Sequence, residues 1–520
     1  KRVLEHQESL DLKQGEVTAL YLEGHELRGV DTRSGIRFLC KTVVVTTGTF
    51  MRGLIHIGLN NYPGGRAGDL PSIGLSDQLR SFGFSVGRLK TGTPARLDSR
   101  TIDFSKLEPQ FGDNPPVPFS FSSAKICMPQ VPCHIAYTNQ RSHEIIRSGL
   151  DRSPLYSGII EGVGPRYCPS IEDKVMRFPD KDRHQTFIEP EGLDTVEVYP
   201  SGMSTSLPID VQIAFYRSMV GLETVEIMRP AYAIEYDYVD PIQLHSSLET
   251  KLIRNLYHAG QINGTSGYEE AAGQGIIAGI NAALRVKGLD PVVLDRSQAY
   301  IGVMIDDLVT QGTKEPYRMF TSRAEYRLLL REDNADLRLR DLGYELGLVS
   351  EEEYASFSNK REMIIAERVR IAATRISNTD QELEVLSRLG IEDIQKGTTL
   401  EHLLKRSDIS YSELAELDDV SRETSAEIRD QVEIQTKYRG YIERQLDQVE
   451  RAKKLETTRI PDNMDYVSIK GLTTEVREKL TRNRPDTLGQ ASRIPGVTPA
   501  ALSILAIAIK ANVRTGVSNS

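Results

Sequence analysis

A run of β-branched residues near the start of the chain constrains the fold more than any other feature. The run from Thr42 to Phe50, Thr-Val-Val-Val-Thr-Thr-Gly-Thr-Phe, is apolar and ends in a Thr-Gly turn. This pattern predicts a buried parallel strand that enters a tight turn. A second short strand is predicted at Leu256-Tyr-His-Ala259, followed by a Gly260-Gln261 turn and a helix from Tyr268. The sequence therefore predicts an α/β fold to which the chain returns after a long excursion.

Glycines are concentrated around the second of these strands and its helix. They are Gly264, Gly267, Gly273, Gly275 and Gly279. Because glycine has no Cβ, a planar ring or a ribityl chain can lie against backbone N–H groups at the start of the helix. Tight packing of the helix on a sheet is an alternative reason for Gly275 and Gly279, but it does not explain the polar run Gln261-Ile-Asn-Gly-Thr-Ser-Gly267. We interpret this polar loop as part of a ligand site.

A lone cysteine, Cys168, lies in the run Gly-Val-Gly-Pro-Arg-Tyr-Cys-Pro-Ser-Ile-Glu-Asp-Lys-Val-Met-Arg-Phe from Gly162 to Phe178. Pro169 suits the first position of a helix, which predicts Cys168 at the N-cap. Unpaired N–H groups, the helix dipole and the Arg166 guanidinium would then favour the reactive thiolate. The alternative is that the Cys168 thiol is packed and inert. The flanking residues favour a nucleophile.

The composition is that of an ordinary soluble globular protein of about three domains. The chain has 520 residues, of which 39% are hydrophobic and 26% are charged, with a net charge of -9. Its four cysteines show no pairing pattern, which indicates a reducing, cytoplasmic environment. Because the chain is acidic overall, any RNA binding must depend on a local basic patch. The longest apolar run, residues 500–509, is too short to span a bilayer and predicts a buried core helix.

Three groups of residues imitate catalytic or metal sites without completing them. Cys127, Cys133 and His134 are too few to close a zinc site. Asp306-Asp307 could serve as a carboxylate pair, but capping or pairing with basic residues is the simpler expectation. Glu269-Glu270 open the predicted helix, where acidic residues suit the dipole. None of these groups predicts chemistry.

Beyond about residue 345 the sequence becomes helical and highly charged. Helices are predicted at Glu351–Ile376 and, as one long element, at Ser421–Leu455. Aromatic and basic residues alternate in the second helix, at Lys437, Tyr438, Arg439, Tyr441, Arg444, Arg451, Lys453 and Lys454. Charge runs are usually solvated faces, but this alternation also suits a tRNA backbone. Residues 493–499, Arg-Ile-Pro-Gly-Val-Thr-Pro, predict either a helix-hairpin-helix phosphate clamp or an ordinary helix cap.

Five blocks of sequence together resemble the GidA (MnmG) family, which modifies uridine at the tRNA wobble position. The blocks are Cys168-Pro-Ser-Ile-Glu-Asp-Lys174, Glu189-Pro-Glu-Gly192, Ser204-Thr-Ser-Leu-Pro208, Ala259-Gly-Gln-Ile-Asn-Gly-Thr-Ser-Gly-Tyr-Glu-Glu-Ala-Ala272 and Glu315-Pro-Tyr-Arg-Met-Phe-Thr-Ser-Arg-Ala-Glu-Tyr-Arg327. The resemblance runs from about Val17 to the C-terminal end. Two of the blocks exceed ten residues, so chance similarity does not explain them.

The resemblance implies an α/β fold in which a Rossmann-like FAD-binding domain carries two additions. Residues 1–90 form the first part of the flavin domain, 91–200 an inserted α/β NAD-type domain with the cysteine, 201–345 the return of the flavin domain, and 346–520 a helical domain for partner and tRNA. No Gly-x-Gly-x-x-Gly fingerprint follows a strand in this sequence. We therefore expect an N-terminal segment of about a hundred residues with that fingerprint to precede Lys1 in the intact protein.

The resemblance also assigns site residues. FAD contacts are implied at Val17, Ser72 and Gln261. The NAD-binding stretch maps to Gly164, Pro165, Arg166, Tyr167, Cys168, Pro169, Ser170, Ile171, Glu172, Asp173, Lys174, Val175, Met176, Arg177 and Phe178. The catalytic residue is Cys168, one of two family cysteines. The other would lie upstream of this sequence, and which of the two attacks uridine C6 stays open.

The implied activity adds an aminomethyl or carboxymethylaminomethyl group to C5 of the wobble uridine. FAD and NADH are the implied redox cofactors, methylenetetrahydrofolate the carbon donor, and glycine or ammonium the nitrogen donor. The implied partners are tRNA and the GTPase MnmE, with a homodimer forming an α2β2 complex in the cytoplasm.

Two other functions are compatible with parts of the sequence. A folate- and FAD-dependent tRNA uridine-5 methyltransferase shares the flavin scaffold, but such enzymes are shorter and lack the helical third. A flavin-free scaffold of a tRNA-modifying complex, with a structural cysteine, is the non-enzymatic alternative.

Overall fold

The computed structural model describes residues 2–123, 125–167, 169–377, 379–391, 394–395, 397–418, 421 and 424–516. Its strands are β1 Val17–Glu23, β2 Glu26–Thr32, β3 Arg37–Leu39, β4 Val43–Val45, β5 Leu54–Ile57, β6 Asn60–Pro63, β7 Val86–Thr93, β8 Arg96–Asp98, β9 Glu108–Gln110, β10 Cys133–Tyr137, β11 Gln185–Pro190, β12 Glu197–Ser201, β13 Ile227–Arg229, β14 Tyr232–Val239 and β15 Leu256–His258. Its helices in the first two thirds of the chain are α1 Arg2–Glu5, α2 Gly74–Ser81, α3 Gln140–Ser148, α4 Ile171–Arg177, α5 Ile209–Arg217, α6 Tyr268–Lys287, α7 Tyr300–Gln311 and α8 Ala335–Glu345.

The two predicted parallel strands pair with each other. In β4 and β15, Val43 lies opposite Leu256 and Val45 lies opposite His258. The Ala259 N–H continues the ladder by donating to the Val45 carbonyl at 3.1 Å. Helix α6 begins at Tyr268, as the sequence predicts, and packs with α7 over these strands. The predicted α/β fold is confirmed in this part of the chain.

A second sheet lies beside the first and has the order β6-β5-β14-β7. All of its pairings are antiparallel. Strand β14, residues 232–239, is buried on both faces apart from Tyr238, which is half-buried. This burial and its place between β5 and β7 make β14 the central strand of this sheet.

The inserted unit is built on a six-stranded antiparallel sheet of order β13-β8-β12-β11-β10-β9. It extends past residue 200, where the sequence analysis places its end. The reason is that Phe215 of α5 and Leu222 pack in the same hydrophobic core as Leu97 and Ile188. Between β9 and β10 the described residues contain no helix or strand, as predicted for the segment around Phe111–Phe121.

The last third is helical, as predicted. Its helices are α9 Glu351–Ala373, α10 Asp380–Arg388, α11 Leu400–Leu404, α12 Tyr411–Leu414, α13 Ala426–Lys437, α14 Arg439–Thr457, α15 Thr474–Asn483, α16 Leu488–Arg493 and α17 Pro499–Gly516. They form two hydrophobic cores, one within residues 364–432 and one within residues 460–509.

The predicted single helix from Ser421 to Leu455 is wrong, because the chain leaves the helical conformation at Tyr438. Helix α13 buries Ile428 and Val432 in the first core, whereas α14 buries no side chain and packs along α16. The break allows α14 to leave one core and lead to the next.

Buried ion pairs attach the C-terminal helices to the α/β core. The Arg493 guanidinium contacts both carboxylate oxygens of Asp306 at 2.6 and 2.7 Å, and it also pairs with Glu456. Arg296 reaches Asp306 at 3.0 Å and Asp307 at 2.6 Å. Burial raises the pKa of Asp306, although both arginines oppose that effect. The expectation that Asp306-Asp307 pair with basic residues is confirmed, and Arg493 is occupied by carboxylates instead of a phosphate clamp.

Two further sequence-based expectations concern membranes and metals. No helix among the described residues has the length and apolar character needed to cross a bilayer. Within the same part of the chain, no three His, Cys, Asp or Glu side chains are grouped to hold a metal ion.

Helix α17 provides a stability test with an internal control. Leu505 is fully buried in the second helical core, whereas Ile507, two residues on, is 69% exposed. Leu505→Ala should lower the free energy of local unfolding of this bundle by about 2–5 kcal/mol, because it leaves a cavity. Ile507→Ala should change it by less than about 0.5 kcal/mol. Amide hydrogen exchange in α16 and α17 measures both values, and equal effects would contradict the assigned core.

Candidate functional site

The carboxyl ends of β4 and β15 bring two glycine turns together. Gly48 follows β4 with a φ of +55°, and Gly260 follows β15 with a φ of +85°, conformations that favour glycine. A Cβ added to Gly48 would lie 3.3 Å from Oε1 of Gln261. In open α/β sheets, ligands bind at the carboxyl ends of neighbouring parallel strands. The turns are therefore placed where this fold class holds a cofactor.

The other two residues implied for FAD are linked to the same turn. The Ser72 hydroxyl donates to the Val17 carbonyl at 3.1 Å, and the Ser72 N–H donates to the Phe50 carbonyl at 2.9 Å. Phe50 in turn donates its N–H to the Thr47 carbonyl at 3.0 Å. The structure thus connects Val17 and Ser72 to the turn that faces Gln261.

Two buried polar atoms around this turn lack a hydrogen-bond partner among the described residues. The Oγ1 atom of Thr47 is buried, and no described residue supplies it with a hydrogen-bond partner. The Oδ1 atom of Asn263, in the turn after β15, is in the same state within the described residues. Burial lowers the pKa of His258 to about 3, so its ring is neutral. A bound flavin nucleotide would supply partners of the kind that these buried atoms lack.

The segment before Cys168 lies against the loop before α6. The Lys90 N–H donates to the Val163 carbonyl at 3.0 Å, and Val163 forms a parallel bridge with Leu89, so the segment begins beside β7. The Tyr167 hydroxyl and the Ser266 hydroxyl share a hydrogen bond of 2.9 Å. The Phe320 ring meets the Tyr167 ring edge-on, with 6.3 Å between centroids. Three of the sequence blocks, around residues 167, 266 and 320, therefore meet at one place.

The predicted N-cap is wrong. Helix α4 begins at Ile171, and its N-cap is Ser170, whose Oγ accepts from the Asp173 N–H at 3.3 Å. A hydroxyl oxygen is a strong cap acceptor, so the helix starts after Ser170, with Pro169 outside it. Cys168 itself lies outside the described residues. Its catalytic role stays a prediction.

Arg166 does not have the surroundings that the sequence analysis assumes. Its guanidinium pairs with Glu315 at 2.9 Å and is 83% exposed. Water screens so exposed a charge, and a carboxylate already neutralises it. Activation of the thiol by Arg166 therefore has no support in the structure.

Several residues of the implied NAD stretch hold α4 in place through contacts with residues 202–206. The Ile171 N–H donates to the Ser204 carbonyl at 2.8 Å. The Glu172 Oε1 atom accepts from both the N–H and the hydroxyl of Ser206 at 3.2 Å, and the Lys174 Nζ donates to the Gly202 carbonyl at 2.7 Å. The more exposed members of the stretch are Arg166, Met176, Arg177 and Phe178. Ile171 and Val175 face the core, so they are unsuited to ligand contact.

The sequence analysis missed a buried acid next to this segment. Glu235 of β14 accepts hydrogen bonds from the N–H groups of Glu161 and Gly162, just before the implied NAD stretch. The available signal was an acidic residue in the apolar run Tyr232–Val239, where burial of a charge demands partners.

Comparisons with known proteins identify the family. The family model for glucose inhibited division protein A matches residues 1–290. Models for the MnmG/GidA C-terminal helical domain and helical bundle match residues 351–446 and 448–519. The chain therefore belongs to the GidA (MnmG) family. The two helical matches correspond to the two helical cores.

Relatives and solved structures agree with this assignment. The tRNA uridine 5-carboxymethylaminomethyl modification enzymes MnmG of Pelobacter propionicus and Geobacter sulfurreducens are 76% and 72% identical, each over 98% of this chain. The chain spans 82% and 81% of their lengths. The crystal structure of Aquifex aeolicus GidA (form I) is 51% identical and superposes with a TM-score of 0.86 over 97% of this chain and 82% of that one.

The cap of α4 gives a test of the corrected helix start. Ser170→Ala removes the acceptor of the Asp173 N–H and should destabilise the protein by about 1 kcal/mol. Ser425 is the matched control, since it is the N-cap of α13 but its side chain accepts no capping hydrogen bond. Ser425→Ala should therefore have a much smaller effect. Urea unfolding measures the free energy of unfolding of both variants. If Ser170→Ala leaves this free energy unchanged, Ser170 is not the stabilising N-cap of α4.

Proposed function

We propose that this protein is a flavin-dependent enzyme that modifies C5 of the wobble uridine of tRNA. The names of its relatives describe them as tRNA uridine 5-carboxymethylaminomethyl modification enzymes. One observation carries the proposal. Tyr167, which immediately precedes Cys168, hydrogen bonds to Ser266 in the loop that follows the Gln261 turn. A reactive thiol and a flavin would thus lie on neighbouring segments.

The residues of the strand-end turns would hold FAD. Gln261 and the backbone around Gly48 would contact it, with Val17 and Ser72 at the connected position. When bound, FAD supplies the redox chemistry of the reaction. We further propose NADH as reductant, at the exposed part of residues 164–178, and methylenetetrahydrofolate as the carbon donor.

Cys168 is proposed to act by covalent catalysis, because uridine C5 is a poor nucleophile. Its thiolate adds to C6, and the electron pair of the C5–C6 double bond moves to C5 and the O4 carbonyl. C5 can then form a bond to a one-carbon electrophile. Loss of the C5 proton to a base and departure of the thiolate restore the double bond. Which of the two family cysteines adds to C6 stays open.

Helix α14 is the proposed tRNA contact. Tyr441 is 56% exposed, and the Arg444 guanidinium lies 4.7 Å from its ring centroid. Arg451 and Lys454 are exposed and form no ion pair with a described residue, whereas Lys437 and Arg439 are paired with glutamates. An exposed ring with cations nearby is suited to stack on a base beside a phosphate backbone.

The helical third also favours this function over its alternatives. Residues 351–446 and 448–519 match MnmG-type helical models, and the methyltransferase alternative lacks such a region. We propose that this third also contacts the GTPase MnmE. A homodimer, an α2β2 complex with MnmE and a cytoplasmic location complete the proposal.

Replacing the thiol tests the chemistry. Cys168→Ala should abolish wobble-uridine modification while the flavin content stays normal, because the proposed chemistry needs its thiol and the implied flavin contacts lie on other segments. Cys127→Ala is the control, since Cys127 is exposed and distant in sequence from every implied site residue. Mass spectrometry of tRNA nucleosides from complemented deletion strains measures both. Full modification with Cys168→Ala would remove Cys168 from the mechanism.

Replacing the exposed ring tests the tRNA surface. Tyr441→Ala should weaken tRNA binding by about 1–3 kcal/mol, the value of one base–aromatic stack, with little change in salt dependence. Arg444→Gln should instead lower the slope of log affinity against log salt by about one. Leu446→Ala on the same exposed helix is the control. Filter binding at several salt concentrations measures the tRNA affinity of the three variants. Unchanged affinity in all three variants would show that the tRNA binds to another surface.

A further inference from the structure

Glu235 is a buried carboxylate with an unusual set of partners. The residue is only 2% exposed, in the middle of the central strand β14. Its Oε1 atom accepts from the Glu161 N–H at 2.9 Å and from the Gly162 N–H at 2.6 Å. Its Oε2 atom lies 2.9 Å from Nε2 of His56, which is also buried. Both carboxylate oxygens are therefore committed within the described structure.

The partners keep this carboxylate ionised. Burial alone would raise the pKa of Glu235, but the hydrogen bonds from His56 and the Gly162 N–H outweigh burial, and Arg88 adds a favourable charge at 3.7 Å. The pKa therefore lies below its ordinary value. A buried charge is costly without such partners, so a neutral side chain would be the simpler choice for packing alone.

Gly162 is fitted closely to this acid and to the neighbouring strand. A Cβ at Gly162 would lie 2.8 and 2.9 Å from the carbonyl carbon and oxygen of Leu89, and 3.1 Å from Oε1 of Glu235. Backbone atoms cannot yield to such an approach. The next residue, Val163, is fixed by the Lys90 N–H. The chain is therefore held at 162–163 with little freedom.

The segment that contains Cys168 is held at both of its ends. Upstream, Glu235 fixes residues 161–162. Downstream, the Ile171 N–H is bound by the Ser204 carbonyl at 2.8 Å. Between these points the described structure shows a hydrogen bond from Tyr167 to Ser266 and an exposed ion pair between Arg166 and Glu315. Loss of the Glu235 anchor would free residues 161–162 and leave the approach to Cys168 attached through the Lys90–Val163 hydrogen bond, Tyr167 and the exposed Arg166 pair.

We propose that Glu235, supported by His56, is a positioning residue that sets the location of the Cys168 segment for the reaction. In this role it acts through the backbone of Glu161 and Gly162. The proposal rests on the proposed role of Cys168. It assigns a purpose to the buried oxygen that accepts from both N–H groups, because a misplacement of about 1 Å at the reacting group can cost about a hundredfold in rate.

The test compares two substitutions of the same acid in the intact protein. Glu235→Gln keeps an oxygen that accepts from both N–H groups, whereas Glu235→Ala removes it. For Glu235→Ala we expect a fall of at least about tenfold in the single-turnover rate of wobble-uridine modification, with unchanged tRNA affinity and flavin content. For Glu235→Gln we expect a rate within about threefold of wild type, because the acceptor geometry is retained.

A second measurement does not depend on activity. Amide hydrogen exchange of the peptide covering residues 161–167 should become faster in Glu235→Ala and stay protected in Glu235→Gln. Because Glu235→Ala can also affect folding, a second variant is needed. Gly162→Ala displaces the segment through the clash of its Cβ with the Leu89 backbone and keeps the glutamate at position 235. Gly162→Ala should lower the rate similarly, whereas Gly112→Ala, at a glycine with open space around it, should not.

The outcomes separate the two proposals. If Glu235→Ala exchanges like wild type over residues 161–167, or if the Gln and Ala variants lose the same activity, the positioning role is wrong. If the wild-type protein modifies no uridine, the proposed function is wrong, and the exchange result still decides whether Glu235 holds the segment.

Discussion

The pairing of β4 with β15 is the interaction on which the rest of the structure depends. These strands are distant in sequence, yet residues 43–45 and 256–258 lie side by side in parallel register. The pairing brings the Gly48 turn next to Gln261. It also returns the chain to the α/β core after the residues inserted between the two strands. Because parallel strands require a long crossover, the inserted unit can be large without disturbing this contact.

The central strand β14 connects that core to the segment before Cys168. It pairs with β5 and β7, which belong to the first part of the chain, and it carries Glu235 toward the segment before Cys168. The segment then passes Ser266, in the loop after the Gln261 turn. The Glu235 carboxylate, the pairings of β14 and the Tyr167–Ser266 hydrogen bond thus align two regions. These regions have separate hydrophobic cores.

The sequence predicts the features that local patterns determine. The β-branched run before Thr46 is a strand, and the glycine turn before Tyr268 opens a helix, because both depend on neighbouring residues. The start of α4 was misplaced because Cys168, Pro169 and Ser170 all allow a cap locally, and only the hydroxyl of Ser170 meets the Asp173 N–H. The proposed role of Glu235 was not predictable, since it depends on the backbone groups of residues 161–162, which are far away in sequence.

The flavin content of two glycine variants tests most directly the claim that the β4 and β15 turns hold the cofactor. Gly48 and Gly35 both have positive φ, so alanine strains both backbones, but only at Gly48 does the added Cβ approach Gln261, at 3.3 Å. The account predicts that Gly48→Ala in the intact protein loses most of its flavin absorbance while Gly35→Ala keeps it. Equal flavin content in the two folded variants would contradict the assignment of the site.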